Sequence, residues 1–169
     1  MVENVDWLDA DEVRTWRALH AVLVVLPAAL DAQLQRDAGL TYLEYYVLAG
    51  LTDAQSGRRR LSELAILTNA ELSRISHLVA RLEKRGLVER HTDPDDARAT
   101  NAVLTEAGRA KIEEAAPGHV AMVRELVFDR LGDTGRQGLK NASSSIVAAL
   151  SASDLPLAPS IRKALRETR

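Results

Sequence analysis

Residues 61–104 read LSELAILTNA ELSRISHLVA RLEKRGLVER HTDPDDARAT NAVL, and two changes of rhythm within them decide the fold. Over residues 70–85, Leu72, Ile75, Leu78, Val79 and Leu82 recur at steps of three and one, the period of a helix with one apolar stripe. Ser73, Arg74, Ser76, His77, Arg81 and Lys84 fall on its other side, and Gly86 supplies a left-handed stop. The period then shortens. Residues 87–90 read as a strand, Asp93-Pro94-Asp95-Asp96 as turn chemistry, and residues 99–104 as a second strand, so a hairpin is expected. Upstream, residues 62–67 form a short helix that breaks at Thr68-Asn69. A lone hairpin is marginal in water, so it has to pack on helices or meet a partner.

Working outward, residues 9–37 form a long helix. Asp9 and Glu12 have capping-box spacing, and Trp16, Leu19, Leu23, Leu26, Leu30 and Leu34 make an apolar stripe. Pro27 is expected to kink it or remove one hydrogen bond, and Gly39 ends it. Thr41 and Glu44 repeat the capping-box pattern at the head of a second helix that runs to about residue 55, before the loop 56–60. Thr105 caps a helix over 106–130, interrupted near Pro117-Gly118. Another helix spans about 133–150, then a loop, and a short last helix is read over 160–168. Val120, Val123, Leu126, Val127, Phe128 and Leu131 extend a second stripe, and Leu139, Ile146, Val147 and Leu150 a third.

The chain has 169 residues, 46% hydrophobic and 27% charged, which suits one folded domain rather than disorder. It contains no Cys, so disulfides, thiol chemistry and Cys-based zinc sites are excluded. Without an unbroken run of about 18 apolar residues no membrane span is expected. The acidic N-terminus is unlike a secretory signal, so a cytoplasmic protein is expected. Charge is unevenly placed. Residues 56–91 hold eight bases against four acids, net +4, and since the chain totals -2 the remainder carries -6.

Short helix, turn, helix, hairpin is the order of a winged helix-turn-helix. A helix anchored by one face can lie in a major groove with the other, where Ser, Arg and His meet base edges and phosphates. The same pattern also describes a solvated surface helix. An arginine at the hairpin tip, Arg98, suits a narrow minor groove, and Asp96 is placed to hold it. His20, His77, His91 and His119 are scattered, so no metal site is expected. No glycine-rich phosphate loop or nucleophile elbow is present, and no catalytic residue or cofactor is expected.

The runs Leu82-Glu83-Lys84-Arg85-Gly86-Leu87-Val88-Glu89-Arg90, Asp93-Pro94-Asp95-Asp96-Ala97-Arg98 and Leu104-Thr105-Glu106-Ala107-Gly108-Arg109 together resemble the signature of the MarR family of bacterial transcription regulators. The match extends upstream through Leu61-Ser62-Glu63-Leu64-Ala65 and Ser76-His77-Leu78. The resemblance implies a mainly α fold: a three-helix core with a two-stranded wing, and long terminal helices that join two chains in a homodimer on a pseudo-palindromic operator in double-stranded DNA. It implies that residues 1–169 form one unit, with residues 41–104 as the DNA-binding lobe and residues 1–37 and 106–169 as dimerisation helices. Ser73, Arg74, Ser76, His77 and Arg81 would lie in the groove, with Arg98 as the wing arginine and Asp96 bracing it. The chain departs from the pattern at Ala97, where many members carry Arg, and at the acidic Glu71; the Pro often found near that helix start is absent. A winged-helix protein-interaction module that does not bind DNA is the alternative.

Five of the six aromatics, Trp7, Trp16, Tyr42, Tyr45 and Tyr46, lie in the first 46 residues. Members of the family often bind small phenolic or carboxylate effectors between the dimer helices and the DNA lobe. Trp16, His20, Tyr45 and Tyr46 are the candidates to line such a crevice, the alternative being ordinary core packing. Arg17 or one of Arg58, Arg59 and Arg60 would meet the anion. The expected regulator is a repressor that responds to a small molecule.

Overall fold

The computed structural model describes residues 5–54, 56–94 and 96–152. The expected helix over 160–168, the tip residue Asp95 and the expected helix end at Gln55 lie outside the described residues.

The elements run α1 (Ala10–Ala38), α2 (Tyr42–Thr52), β1 (Arg58–Arg60), α3 (Leu61–Leu67), α4 (Leu72–Lys84), β2 (Val88–Thr92), β3 (Thr100–Leu104), α5 (Glu106–Leu126), a short 3-10 turn (Phe128–Arg130) and α6 (Asp133–Ala152). Both capping boxes form. Asp9 accepts from the Glu12 main-chain N–H and Glu12 accepts from that of Asp9; Thr41 and Glu44 do the same. Gly39 and Gly86 adopt positive φ, 61° and 71°. At Gly86 the stop is a Schellman motif, with Leu87 N–H donating to the Leu82 carbonyl and Gly86 N–H to that of Glu83. Asn69, at φ 50°, plays the glycine's part between α3 and α4, a conformation asparagine tolerates better than most side chains.

Three expectations are corrected. Residues 58–60 are not loop but β1, which pairs antiparallel with β3, so the wing carries a three-stranded sheet in the order β1-β3-β2. Pro117 and Gly118 do not interrupt α5, whereas Pro27, inside α1, costs the one hydrogen bond that was expected of it. Each proline deletes one helix donor, but the remaining ladder and the packing around it carry the helix through. Instead the helix expected to reach residue 130 ends at Leu126, and the 3-10 turn follows.

The core gathers Leu34, Leu40, Leu48, Leu51, Leu64, Ile75, Leu78 and Leu82, joined by Val88 and Ala102 of the sheet and Ile112 and Ala115 of α5. Burying one such leucine is worth about 1.5–3 kcal/mol. Leu72, read as part of the buried stripe, is 52% exposed. The stripe on α1 is buried only at its C-terminal end, at Leu30 and Leu34. Val22, Leu23, Val24 and Val25 are all exposed, and α6 buries no residue. Length and apolar content alone would let α1 cross a membrane. An interrupted apolar run can still pass that test, so the sequence criterion excluded less than it claimed.

Gly108 locks α5 against the sheet. Its N–H is capped by Thr105 Oγ1 at 3.0 Å, and that hydroxyl donates to the Gly86 carbonyl at 2.7 Å. A Cβ at Gly108 would collide with the Leu87 carbonyl, which is main chain and cannot swing aside. Gly108→Ala is expected to lower the free energy of unfolding by about 1–3 kcal/mol in urea titration.

Candidate nucleic-acid interface

Because Ile75, Leu78, Val79 and Leu82 face the core, the helical period turns Ser73, Arg74, His77 and Arg81 out to water. Arg74, His77 and Arg81 line one flank of α4, where a groove of about 700 Å³ opens towards Asp31 and Tyr42. On the other flank, a groove of about 330 Å³ separates α4 from the wing; Ser76, Arg60, Asp96 and Arg98 line it. The structure thus divides the five α4 residues. Three share the first groove, Ser76 lies in the second, and Ser73 stands exposed in neither.

The cations differ in how committed they are. Arg74, His77 and Arg98 form no ion pair among the described residues. Arg81 is partly engaged: its guanidinium lies 3.8 Å from Glu44, a buried carboxylate that also faces Arg85 at 3.5 Å. Glu44 is the capping-box acid of α2, so a local helix-start signal doubles as a tether for α4. Arg85 in turn donates to the Gly39 carbonyl at 3.1 Å.

Asp96 does not grip the Arg98 side chain. Its Oδ1 accepts the Arg98 main-chain N–H at 3.0 Å, and its carbonyl accepts from Ala99 at 2.9 Å. The expected brace is therefore a local turn, with the guanidinium left unpaired among the described residues. Sequence reasoning missed the larger network below it. Asp93 is 8% exposed and accepts from Arg60 Nε at 2.9 Å, from a second Arg60 nitrogen at 3.0 Å, and from Asn101 Nδ2 at 2.9 Å. Arg60 and Asp93 are 33 positions apart, and no periodic signal links a residue read as loop to one read as turn.

The aromatic candidates fall into two groups. Trp16 and His20 are neighbours on α1, their ring centroids 6.0 Å apart. Tyr45 and Tyr46 meet on α2 at 5.8 Å, and Tyr45 lies against His119 of α5 at 4.4 Å. Asp31, whose Oδ1 accepts the Tyr42 N–H at 2.7 Å, marks where α1 passes the tyrosines. Asp31 lies fifteen residues beyond Trp16, roughly 22 Å along the helix. One chain therefore does not bring the four candidates together. Among the described residues no cluster of His, Asp and Glu suits a metal.

Burial governs the protonation of the second group. It raises the Tyr45 hydroxyl above the ordinary phenol range and raises Tyr42 further, helped by the hydrogen bond to Tyr46. Burial alone lowers His119, whose Nδ1 has no partner among the described residues; the Oε1 of Gln33, on the facing stretch of α1, likewise has none among them. The Gln33 amide instead donates to Asp37, lowering that carboxyl against a smaller opposing effect of desolvation. Neutral His119 is the form the fold accepts, so its contribution is complete above the ordinary value of 6.5 and is lost as pH falls below it. Thermal unfolding midpoints should drop as pH is lowered through that range. His119→Phe should flatten the drop.

Comparison with known proteins places this geometry. A model of the MarR family matches residues 38–99. The MarR family transcriptional regulator Sco3205 of Streptomyces coelicolor, solved in complex with DNA, is 39% identical, with a TM-score of 0.82 over 90% of this chain and 94% of that one. The transcriptional repressor MdtR of Bacillus subtilis is 33% identical over 75% of this chain and 79% of its own. CouR of Rhodococcus jostii RHA1, solved with p-coumaroyl-CoA, is 28% identical, with a TM-score of 0.66 over 78% of this chain and 90% of that one.

Proposed function

The chain belongs to the MarR family of DNA-binding transcription regulators, and from that premise we propose that it works in the cytoplasm as a homodimeric repressor on a pseudo-palindromic operator. It is not an enzyme. The observation that carries the reading is the pair of grooves flanking α4, with Arg74 and His77 on one side and Arg98 on the other, none of them ion-paired among the described residues. In this reading residues 41–104 are the DNA-binding lobe. Ser73, Arg74, Ser76, His77 and Arg81 enter the major groove and Arg98 the minor groove, with Asp96 shaping the turn that presents it. Repression follows the precedent of the repressor relative, and occlusion of a promoter is the form of it proposed here.

The dimer reading is supported by what one chain leaves uncovered. Successive residues on a helix are turned by about 100°, so four exposed apolar side chains at residues 22–25 face every direction. A single flat contact cannot cover them; interlocking terminal helices, α1 with α5 and α6 in the spans 1–37 and 106–169 read as dimerising, can. A second copy also bears on the effector. Trp16 and His20 stand apart from Tyr45 and Tyr46 in one chain, so a crevice using all four draws on both copies. A small phenolic or carboxylate compound suits such rings and polar tips, and the acyl-CoA complex of the CouR relative is a precedent for effector binding.

Gel shifts with fragments of the source genome test the reading directly, and no retarded species at low salt would favour the protein-interaction alternative. Arg98→Ala should weaken binding by about 1–3 kcal/mol with no change in unfolding midpoint, since its guanidinium pairs with nothing described. If about 6–10 phosphates are contacted, affinity should fall by about 10³–10⁵ between 50 and 200 mM salt. For the dimer, Leu23→Asp should halve the mass seen by sedimentation or drive the protein out of solution; an unaltered dimer would place the interface elsewhere.

A further inference from the structure

The wing is tied to the helical core by one buried carboxylate. Arg60 closes β1 and opens α3, where its own N–H is taken by Glu63 at 3.1 Å. Its side chain crosses to the wing and meets Asp93 in two parallel bonds of 2.9 and 3.0 Å. Asn101, Arg60's register partner on β3 and itself buried, donates to the same carboxylate at 2.9 Å. Asp93 then closes the loop that follows: its N–H donates to the Ala99 carbonyl at 2.9 Å. Arg98 is the neighbour of Ala99 and lines the same groove as Arg60. A continuous set of short bonds thus runs from the start of α3, through Asp93, to the residue beside Arg98. Two-pronged arginine–carboxylate bonds fix direction as well as distance.

We propose that Asp93 is a positioning residue for the wing: held by Arg60 and Asn101, it sets where Arg98 stands relative to α4 without touching DNA itself. This rests on the DNA-binding reading above. A carboxylate close to a polyanion is unfavourable on charge alone, so the sign of the effect separates placement from electrostatics. Asp93→Asn removes a negative charge, and charge alone would tighten binding; loss of placement weakens it. Arg60→Lys keeps the charge and surrenders only the fork.

The test is fluorescence anisotropy on a labelled duplex taken from a genomic fragment that the gel shifts retain. Six proteins are compared: the unmodified chain, Asp93→Asn, Arg60→Lys, and each of these combined with Arg98→Ala. Each single variant is expected to weaken binding by about tenfold, within the range of a lost direct contact, and to change the affinity of the Arg98→Ala protein less than twofold. Protection of the minor groove at the wing should disappear in the single variants while major-groove protection remains. Should Asp93→Asn fail to fold, Arg60→Lys carries the comparison, since its side chain is 39% exposed and its charge is retained. Tighter binding by Asp93→Asn, or equal losses with and without Arg98, overturns the proposal while leaving DNA binding intact. An unmodified chain that retains no fragment overturns both.

Discussion

Four side chains, Ile75, Leu78, Val79 and Leu82, press α4 into a core shared with Leu48, Leu51 and Leu64, and the helical period then leaves no freedom in what faces outward. Every other property of the site inherits that constraint. With those four inside, Arg74, His77 and Arg81 have to line one flank, Ser76 the other, and the two grooves appear where α2 and the wing stop short of α4. At about 1.5–3 kcal/mol for each buried side chain, the anchoring far outweighs any single surface ion pair. The exposed cations can therefore vary without moving the helix that carries them.

Buried carboxylates do the fine positioning on both flanks. Glu44, in the first turn of α2, faces Arg81 and Arg85; Asp93, at the base of the wing, holds Arg60. Each uses hydrogen bonds to offset the cost of removing a charge from water. Each also links elements distant in sequence, α2 to α4 in one case and the wing to the start of α3 in the other. The arginine-rich lobe is in this sense two populations: some guanidiniums are structural members, and others are left for a partner.

What was legible in the sequence was what neighbours decide. The capping boxes at Asp9 and Thr41, the Gly39 and Gly86 stops, the α4 stripe and the hairpin all follow from residues within one turn or one strand of each other. What was not legible depends on distant partners. Residues 58–60 become a strand only because β3 offers them a free edge, and three arginines in a row carry no alternation to announce it. Leu72 fits the apolar stripe by spacing, yet it lies in the helix's opening turn, above the groove rather than the core. The Asp96 turn could be guessed as an Arg98 partner but not as a main-chain one. Pro117 misled because a local cost near 3 kcal/mol was weighed without the packing of α1 on α5 that opposes it.

The segregation of charge carries a consequence for how the protein meets DNA. Eight bases crowd into residues 56–91, while acids such as Asp9, Asp11 and Glu12 sit at the far start of α1. Separated charge of this kind is a permanent dipole, and a dipole near a long polyanion feels a torque as well as a pull. The molecule is swung round during approach so that its arginine-bearing end leads. A tail-first approach is opposed by the acids at the start of α1, which disfavours unproductive contacts for an overall acidic protein.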